Sequence, residues 1–269
     1  MTHKDKLESL ISYGTDITGA SAGAAIGFLT GGPAGAALGG VLGVTIHRGL
    51  SDITDRVLSN REKMRVSITA TFALTKIKSY LDSGREQRRD GFFEEKQTGR
   101  SDAEEVFEGV LLKAKNMHEE KKAKILGNIF ANIAFLPGFS VGEANHLLQI
   151  AENLTYREMC ILALIKRKDE VNGIRLKRDR YGEEHAIGDV ITLDFSTEKA
   201  SVLQQAYELY NRGLAICASA KADITMLATA YDIIPDELVL TIMGIKFYDI
   251  MELDDIPEED AREVARYLS

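Results

Sequence analysis

Glycine recurs at every fourth position in one stretch near the start of the chain, and no other feature restricts the fold as much. This glycine stripe consists of Gly19, Gly23, Gly27, Gly31, Gly35, Gly39 and Gly43. Inside a helix each glycine costs about 1 kcal/mol relative to alanine, so an isolated helix of this kind is unfavourable in water. The regular spacing therefore indicates a helix whose backbone must approach another helix closely.

The stripe lies within a segment, residues 17–46, that has no ionisable side chain. As one helix this segment would be ~45 Å long at ~1.5 Å per residue. The hydrocarbon core of a bilayer needs only ~30 Å. The segment contains nine glycines, seven alanines and nine large apolar residues. Its length therefore permits a membrane span, while its hydrophobicity is that of a marginal one.

Gly31, Gly32 and Pro33 interrupt the pattern. Proline lacks the amide hydrogen and kinks or ends a helix, so we assign Gly32 and Pro33 as a hinge. Two geometries remain open. One is a kinked single span, and the other is a helical hairpin whose arms, each ~22 Å long, are too short to cross a bilayer alone.

The stripe resembles the glycine zippers of membrane proteins, which pack helices into oligomers and in some cases pores. The resemblance implies that the seven glycines are helix-packing residues, that the lipid bilayer is a partner and that the protein forms a homo-oligomer. An alternative is a Gly/Ala-rich hairpin packed against this protein's own helices.

The charges that flank the apolar segment predict an orientation for a single span. Two lysines precede it, whereas five basic residues follow it, namely Arg48, Arg56, Arg61, Lys63 and Arg65. Positive charge favours the cytoplasmic side. We therefore expect a bacterial inner-membrane location with the C-terminal bulk in the cytoplasm; the alternative is a fully cytoplasmic protein.

Charge and cysteine content exclude several other classes. The chain has a net charge of −8, and residues 150–269 carry 14 basic against 23 acidic side chains. This acidic half argues against nucleic-acid binding, which requires basic surface. Cys160 and Cys217 lie far apart in apolar surroundings, which predicts reduced, buried thiols rather than a disulfide. The first sixteen residues mix both charges, so we expect no secretory signal.

The middle of the chain shows helical periodicity. Apolar positions predict one helix over residues 52–82 and a second over residues 101–135, joined by a polar connection over 83–101. Three capping-box spacings support helix starts. They pair Ser101 with Glu104, Ser140 with Glu143, and Thr155 with Glu158. We therefore expect an α-helical bundle.

Candidate sites in this middle region have simple structural explanations. Arg85, Arg88 and Arg89 form a basic knot that we interpret as a solvated loop rather than a phosphate site. His118 lacks the second histidine of a zinc-protease helix. Glu143 and His146 make only half of a di-iron pattern, and we interpret both histidines as surface helix residues. We expect no metal and no cofactor.

The C-terminal region resembles winged-helix domains. A helix over 197–211 leads through a glycine cap at Gly213 into Leu214-Ala215-Ile216, and Leu238-Val239-Leu240-Thr241 leads into a final helix that includes Gly244. The resemblance implies a small α+β domain. Lys199 is accompanied by Glu198 and Glu208, so we favour contact with a protein partner over DNA recognition.

These observations predict a mainly α protein: a glycine-zipper membrane helix or helical hairpin (1–50), a helical bundle (51–152) and a winged-helix-like regulatory or interaction domain (153–269). No catalytic grouping is evident, and we expect no enzymatic activity. The predicted function is that of a membrane-associated effector that oligomerises through its zipper and permeabilises the membrane under control of its cytoplasmic domain. The overall order is similar to uncharacterised bacterial proteins, some associated with phage defence. The alternative is a soluble regulatory or scaffold module, including a transcription regulator.

Overall fold

The computed structural model describes residues 44–45, 48–50, 52–53, 56, 58–170, 174–179, 196–218, 227 and 229–269. These residues are mainly helical, with a two-stranded sheet, which confirms the mainly α class. The chain divides into two compact units, Met1–Asn153 and Leu154–Ser269. The glycine stripe, Gly32 and Pro33 lie outside the described residues, so the choice between a span and a hairpin stays a prediction.

From residue 58 onwards, the described part of the N-terminal unit has four helices: α1 (Asn60–Asp82), α2 (Asp102–Asn116), α3 (Lys122–Ile133) and α4 (Val141–Asn153). Two of the predicted capping boxes begin helices here. Ser101 and Glu104 exchange both hydrogen bonds at the start of α2, and Ser140 and Glu143 do so before α4. Each box satisfies two amide groups that have no partner within the helix.

Helix α3 lies against α1 at a close crossing, and α2 contacts α1, α3 and α4. The crossing depends on Gly127, where a Cβ would lie 2.7 Å from the carbonyl oxygen of Thr69 and 2.8 Å from Cβ of Phe72. Phe107 of α2 and Phe130 of α3 have ring centroids 4.5 Å apart in the core. Apolar burial of these helix faces is the main driving force for the bundle.

Two helix predictions in this unit are wrong in extent. The helix over 52–82 begins only at Asn60, because Ser59 and Glu62 form a capping box that starts a new helix there. The helix over 101–135 is two helices, since α2 ends at Asn116 and the chain turns before Lys122. No proline or glycine marks that turn. Met117 is buried in an extended conformation, so packing rather than a local signal ends the helix.

The C-terminal unit contains α5 (Tyr156–Arg167), α6 (Thr197–Asn211), strand β1 (Ala215–Cys217), strand β2 (Leu238–Leu240), α7 (Ile242–Met251) and α8 (Glu258–Ala265). The third predicted capping box is confirmed at Thr155 and Glu158 before α5. Helix α5 is central, with α6, α7, α8 and β2 packed against it. The strands pair antiparallel, with Ala215 opposite Leu240 and Cys217 opposite Leu238.

No helix among the described residues is long and apolar enough to cross a membrane.

Candidate functional site

The residues that directly follow the glycine stripe in the sequence are the candidate site, because they connect the stripe to the helical bundle. We call the described residues within 44–56 the junction segment. Residues 44–45, 48–50 and 52–53 are helical. Thr45, Leu50 and Ile53 are buried, whereas Val44 is half-exposed. The junction segment is therefore packed into the N-terminal unit.

Gly49 brings the backbone of the junction segment close to the ring of Phe107. A Cβ at this position would lie 2.6 Å from Cδ1 of Phe107, so any side chain would force the ring of α2 to move. Phe107 is itself fully buried against Phe130. Gly49 thus lets the segment lie directly on the aromatic core of the bundle, and it is not a member of the four-residue series.

Two arginines of the junction segment form ion pairs with α2. Arg48 lies 2.9 Å from Oε1 of Glu104 and 3.5 Å from Oε2 of Glu95. Arg56 pairs with Glu108, whose other oxygen lies 2.6 Å from Arg100. The carboxylates of α2 therefore neutralise the charges that immediately follow the apolar segment.

In each of these ion pairs the carboxylate is much more buried than the arginine. The side chain of Glu104 is 5% exposed and that of Glu108 is 15% exposed, whereas Arg48 and Arg56 are 49% and 44% exposed. The hydrogen bond from Arg48 to Glu104 raises the pKa of Arg48 above its ordinary value, so this group stays ionised. Glu104 has a second role, because its Oε2 accepts the amide hydrogen of Ser101 in the cap of α2.

Sequence reasoning used Arg48 and Arg56 as membrane-flanking charges and did not find their partners. Glu104 and Glu108 are one helical turn apart on α2, a spacing that places them on the same face. That spacing was visible in the sequence. The match between this face and a segment some fifty residues away was not, because it depends on how α2 packs.

The basic knot is a second place where the structure corrects the interpretation of the sequence. Arg88 is buried rather than solvated. Its guanidinium donates to both oxygens of Asp90 at 2.7 Å and to the carbonyl of Phe139 at 2.9 Å. Asp90 also accepts the amide hydrogen of Gly138 at 2.8 Å. Arg88 thus fastens the connection over 83–101 to the turn after α3, while Arg85 and Arg89 remain exposed.

In the C-terminal unit, the residues that suggested a winged helix contact one another. Gly213 has φ +68°, which confirms the left-handed cap predicted there, and the amide of Leu214 donates to the carbonyl of Leu209. The hydroxyl of Thr241 donates to the carbonyl of Gly213 at 2.6 Å and accepts the amide hydrogen of Gly244 at 2.9 Å. A Cβ at Gly244 would overlap the carbonyl oxygen of Leu214.

The remaining candidate residues form no chemical site in the part of the chain that the structure describes. No group of three or more His, Cys, Asp or Glu side chains there could hold a metal ion. Glu143 serves the cap of α4, and His146 is exposed. His118 is exposed in the turn between α2 and α3, so its predicted helical position is wrong. Neither cysteine forms a disulfide; Cys160 is buried, whereas Cys217 is only partly so.

A cavity of about 530 Å³ in the C-terminal unit has a lining of mixed charge that includes Lys168, Arg178 and Asp236. Lys168 donates to the backbone carbonyl of Leu238 at 2.9 Å, and Arg178 pairs with Asp236 at 3.1 Å. Because these charges already have partners within the protein, the cavity does not define a ligand class.

Comparison of the chain with protein-family models, curated proteins and solved structures finds no match.

Proposed function

We propose that this protein is a membrane-associated effector that oligomerises through the glycine stripe and perturbs or permeabilises the bilayer. The observation that carries the proposal is the unbroken four-residue glycine period within thirty residues free of ionisable groups. In lipid, small residues at this spacing let two helix backbones touch, and close van der Waals packing then drives association. A four-residue step turns by about 400°, which suits a right-handed crossing.

The folded body has the regulatory role in this proposal. The junction segment joins the stripe to α2 through Gly49 and two ion pairs. A change in the body can therefore act on the stripe through residues that are packed together. The C-terminal unit supplies the surface for a protein partner, and a role in phage defence is proposed by analogy with bacterial proteins of similar order.

The test is membrane depolarisation in bacterial cells that produce the full chain, followed with a voltage-sensitive dye. We expect depolarisation by the wild type and none after deletion of residues 17–46. Gly27→Leu and Gly35→Leu are expected to abolish oligomerisation and depolarisation although they raise hydrophobicity. Ala25→Leu and Ala37→Leu, which lie about 200° from the stripe on a helix, are the matched controls and should retain both.

The opposite result would identify hydrophobicity as the cause. If Gly27→Leu and Gly35→Leu depolarise cells as strongly as the wild type, close packing at the stripe is not required. If the wild type has no effect on the potential, the effector role itself is wrong.

A second candidate is a soluble regulatory or scaffold module with a winged-helix-like interaction domain. It is favoured by the order α6, glycine cap, β1, β2 and α7, and by the contacts of Thr241 and Gly244 that hold these elements together. Fractionation separates the two candidates: a pellet that requires detergent supports the first, and a monodisperse oligomer in buffer supports the second. DNA retardation at moderate salt tests the transcription regulator.

A further inference from the structure

The arginines that follow the apolar segment have two competing partners, which are the carboxylates of α2 and an anionic membrane surface. In the structure, Arg48 is held by Glu104 and Arg56 by Glu108. Arginine next to an apolar span is also the residue type that binds lipid phosphates, through bidentate hydrogen bonds. A phosphate that binds one of these guanidinium groups through two donors competes with the carboxylate for those donors.

The packing of the junction segment leaves its arginine side chains accessible to lipid headgroups. The apolar side chains of the junction segment, Leu50 and Ile53, are fully buried, so the backbone is anchored on the bundle. The side chains of Arg48 and Arg56 are about half exposed, so they can change partners while this anchor remains in place. Gly49 holds the segment against Phe107 between the two arginines.

The two sets of interactions have similar strength. An ion pair with an exposed arginine contributes about 0–1 kcal/mol to stability. The carboxylates are mostly buried, but each keeps a second partner when its arginine leaves: Glu104 accepts from the amide of Ser101, and Glu108 pairs with Arg100. A basic residue near an anionic leaflet contributes about 1 kcal/mol to binding. Since neither partner dominates, the presence of an anionic surface is enough to shift the balance.

We propose that Glu104 and Glu108 form an electrostatic latch that occupies Arg48 and Arg56 in the absence of membrane and releases them to anionic phospholipid headgroups at the bilayer. The latch rests on the proposed function, because it presumes that the chain acts at a membrane. It adds the class of lipid that the junction segment would recognise: the phosphate of an anionic headgroup replaces the carboxylates as the partner of these arginines.

The test is binding of the full chain to vesicles of phosphatidylcholine alone and of phosphatidylcholine with 30% phosphatidylglycerol, measured by co-sedimentation. Glu108→Gln removes one charge of the latch, and it leaves the cap at Ser101 intact, which Glu104→Gln would not. We expect Glu108→Gln to bind the anionic vesicles about thirtyfold more tightly, because it releases both Arg56 and Arg100 and each contributes about 1 kcal/mol there. Binding to the neutral vesicles should not change.

Glu105→Gln is the matched control, since Glu105 is an exposed residue of the same helix whose carboxylate accepts from Asn145. It should bind both vesicles as the wild type does. Arg56→Gln should weaken anionic binding, and in the double variant with Glu108→Gln it should reduce the gain to the part that Arg100 contributes. Inorganic phosphate should displace the protein no better than chloride at equal ionic strength, which separates a lipid surface from a free phosphate.

The outcomes distinguish the two proposals. Vesicle binding that Glu108→Gln does not alter overturns the latch and leaves the effector role standing. An equal gain on neutral and anionic vesicles also overturns the latch, because it indicates exposed apolar surface rather than headgroup contact. Absence of binding to either vesicle by the wild type overturns both.

Discussion

At the scale of single residues, Arg88 shows how a charge that looks like a surface residue in the sequence becomes part of the core. Its neighbours Arg85 and Arg89 are exposed, and nothing in the sequence separates the three. Burial of Arg88 is tolerated because Asp90 and a backbone carbonyl of the next turn occupy its donors. Its guanidinium also lies 4.3 Å from the centroid of the Phe92 ring.

Replacement of Asp90 by asparagine should destabilise the protein by about 3 kcal/mol at pH 7, because Arg88 would remain buried without its counter-charge. The hydrogen bonds from Arg88 are the main cause that lowers the pKa of Asp90 below its ordinary value. A carboxylate with a lowered folded-state pKa stabilises the fold fully at pH values above its unfolded-state pKa, which is about 3.9 for an aspartate. This contribution is lost as the pH falls further, towards the folded-state pKa.

Denaturant unfolding at pH 7, 5 and 3 measures this effect. The difference between wild type and Asp90→Asn should be full at pH 7 and 5 and smaller at pH 3. Asp82→Asn is the control, since Asp82 makes an exposed pair with Lys78 and should change stability by about 0.5 kcal/mol or less. Equal effects of the two substitutions would show that Arg88 does not depend on Asp90.

At the scale of elements, local signals located helix starts better than helix ends. The capping boxes at Ser101, Ser140 and Thr155 were readable because a cap is formed by residues three positions apart, but the box at Ser59, which has the same spacing, was missed. The end of α2 was missed because its last turn is followed by residues with no breaker among them. The cap at Gly213 marks a helix end that could be predicted, because only glycine adopts the left-handed conformation at low cost.

Gly244 supports a prediction on how α7 meets β1. Gly244→Ala should destabilise the C-terminal unit by about 1–3 kcal/mol, because the added methyl group would displace the backbone at Leu214. Gly142→Ala is the matched control: it lies in a helix, and a Cβ there would come no closer than 3.9 Å to the nearest atom outside that helix's own backbone, the hydroxyl of Ser140. Its stability should be unchanged or raised by up to about 1 kcal/mol. Thermal unfolding of both variants checks this prediction, and equal midpoints would contradict the close approach.

At the scale of the whole molecule, the chain divides into two compact units. The C-terminal unit has buried apolar side chains on each of its helices, among them Leu162, Leu209, Tyr248 and Val264. Its central helix α5 is covered by α6, α7 and α8 of the same unit. A core of this kind is sufficient for independent folding.

Residues 154–269 produced alone should therefore fold, with a helical circular-dichroism spectrum and a single cooperative unfolding transition. A shorter piece, residues 154–252, should not, because it lacks α8 and leaves the apolar face of α5 exposed to water. If residues 154–269 unfold without cooperativity, this unit does not fold independently.

Sequence alone determined the features that depend on near neighbours along the chain: the mainly helical class, the capping boxes, the cap at Gly213 and the four-residue period of the stripe. Tertiary structure decided everything that depends on which surfaces meet. The helix break after Asn116 has no proline or glycine to mark it, and the contacts of Arg88 with Phe139 and of Arg56 with Glu108 join positions remote in sequence. The physical reason is that capping and periodicity act over one helical turn, whereas burial and charge pairing depend on distances that only the packed chain defines.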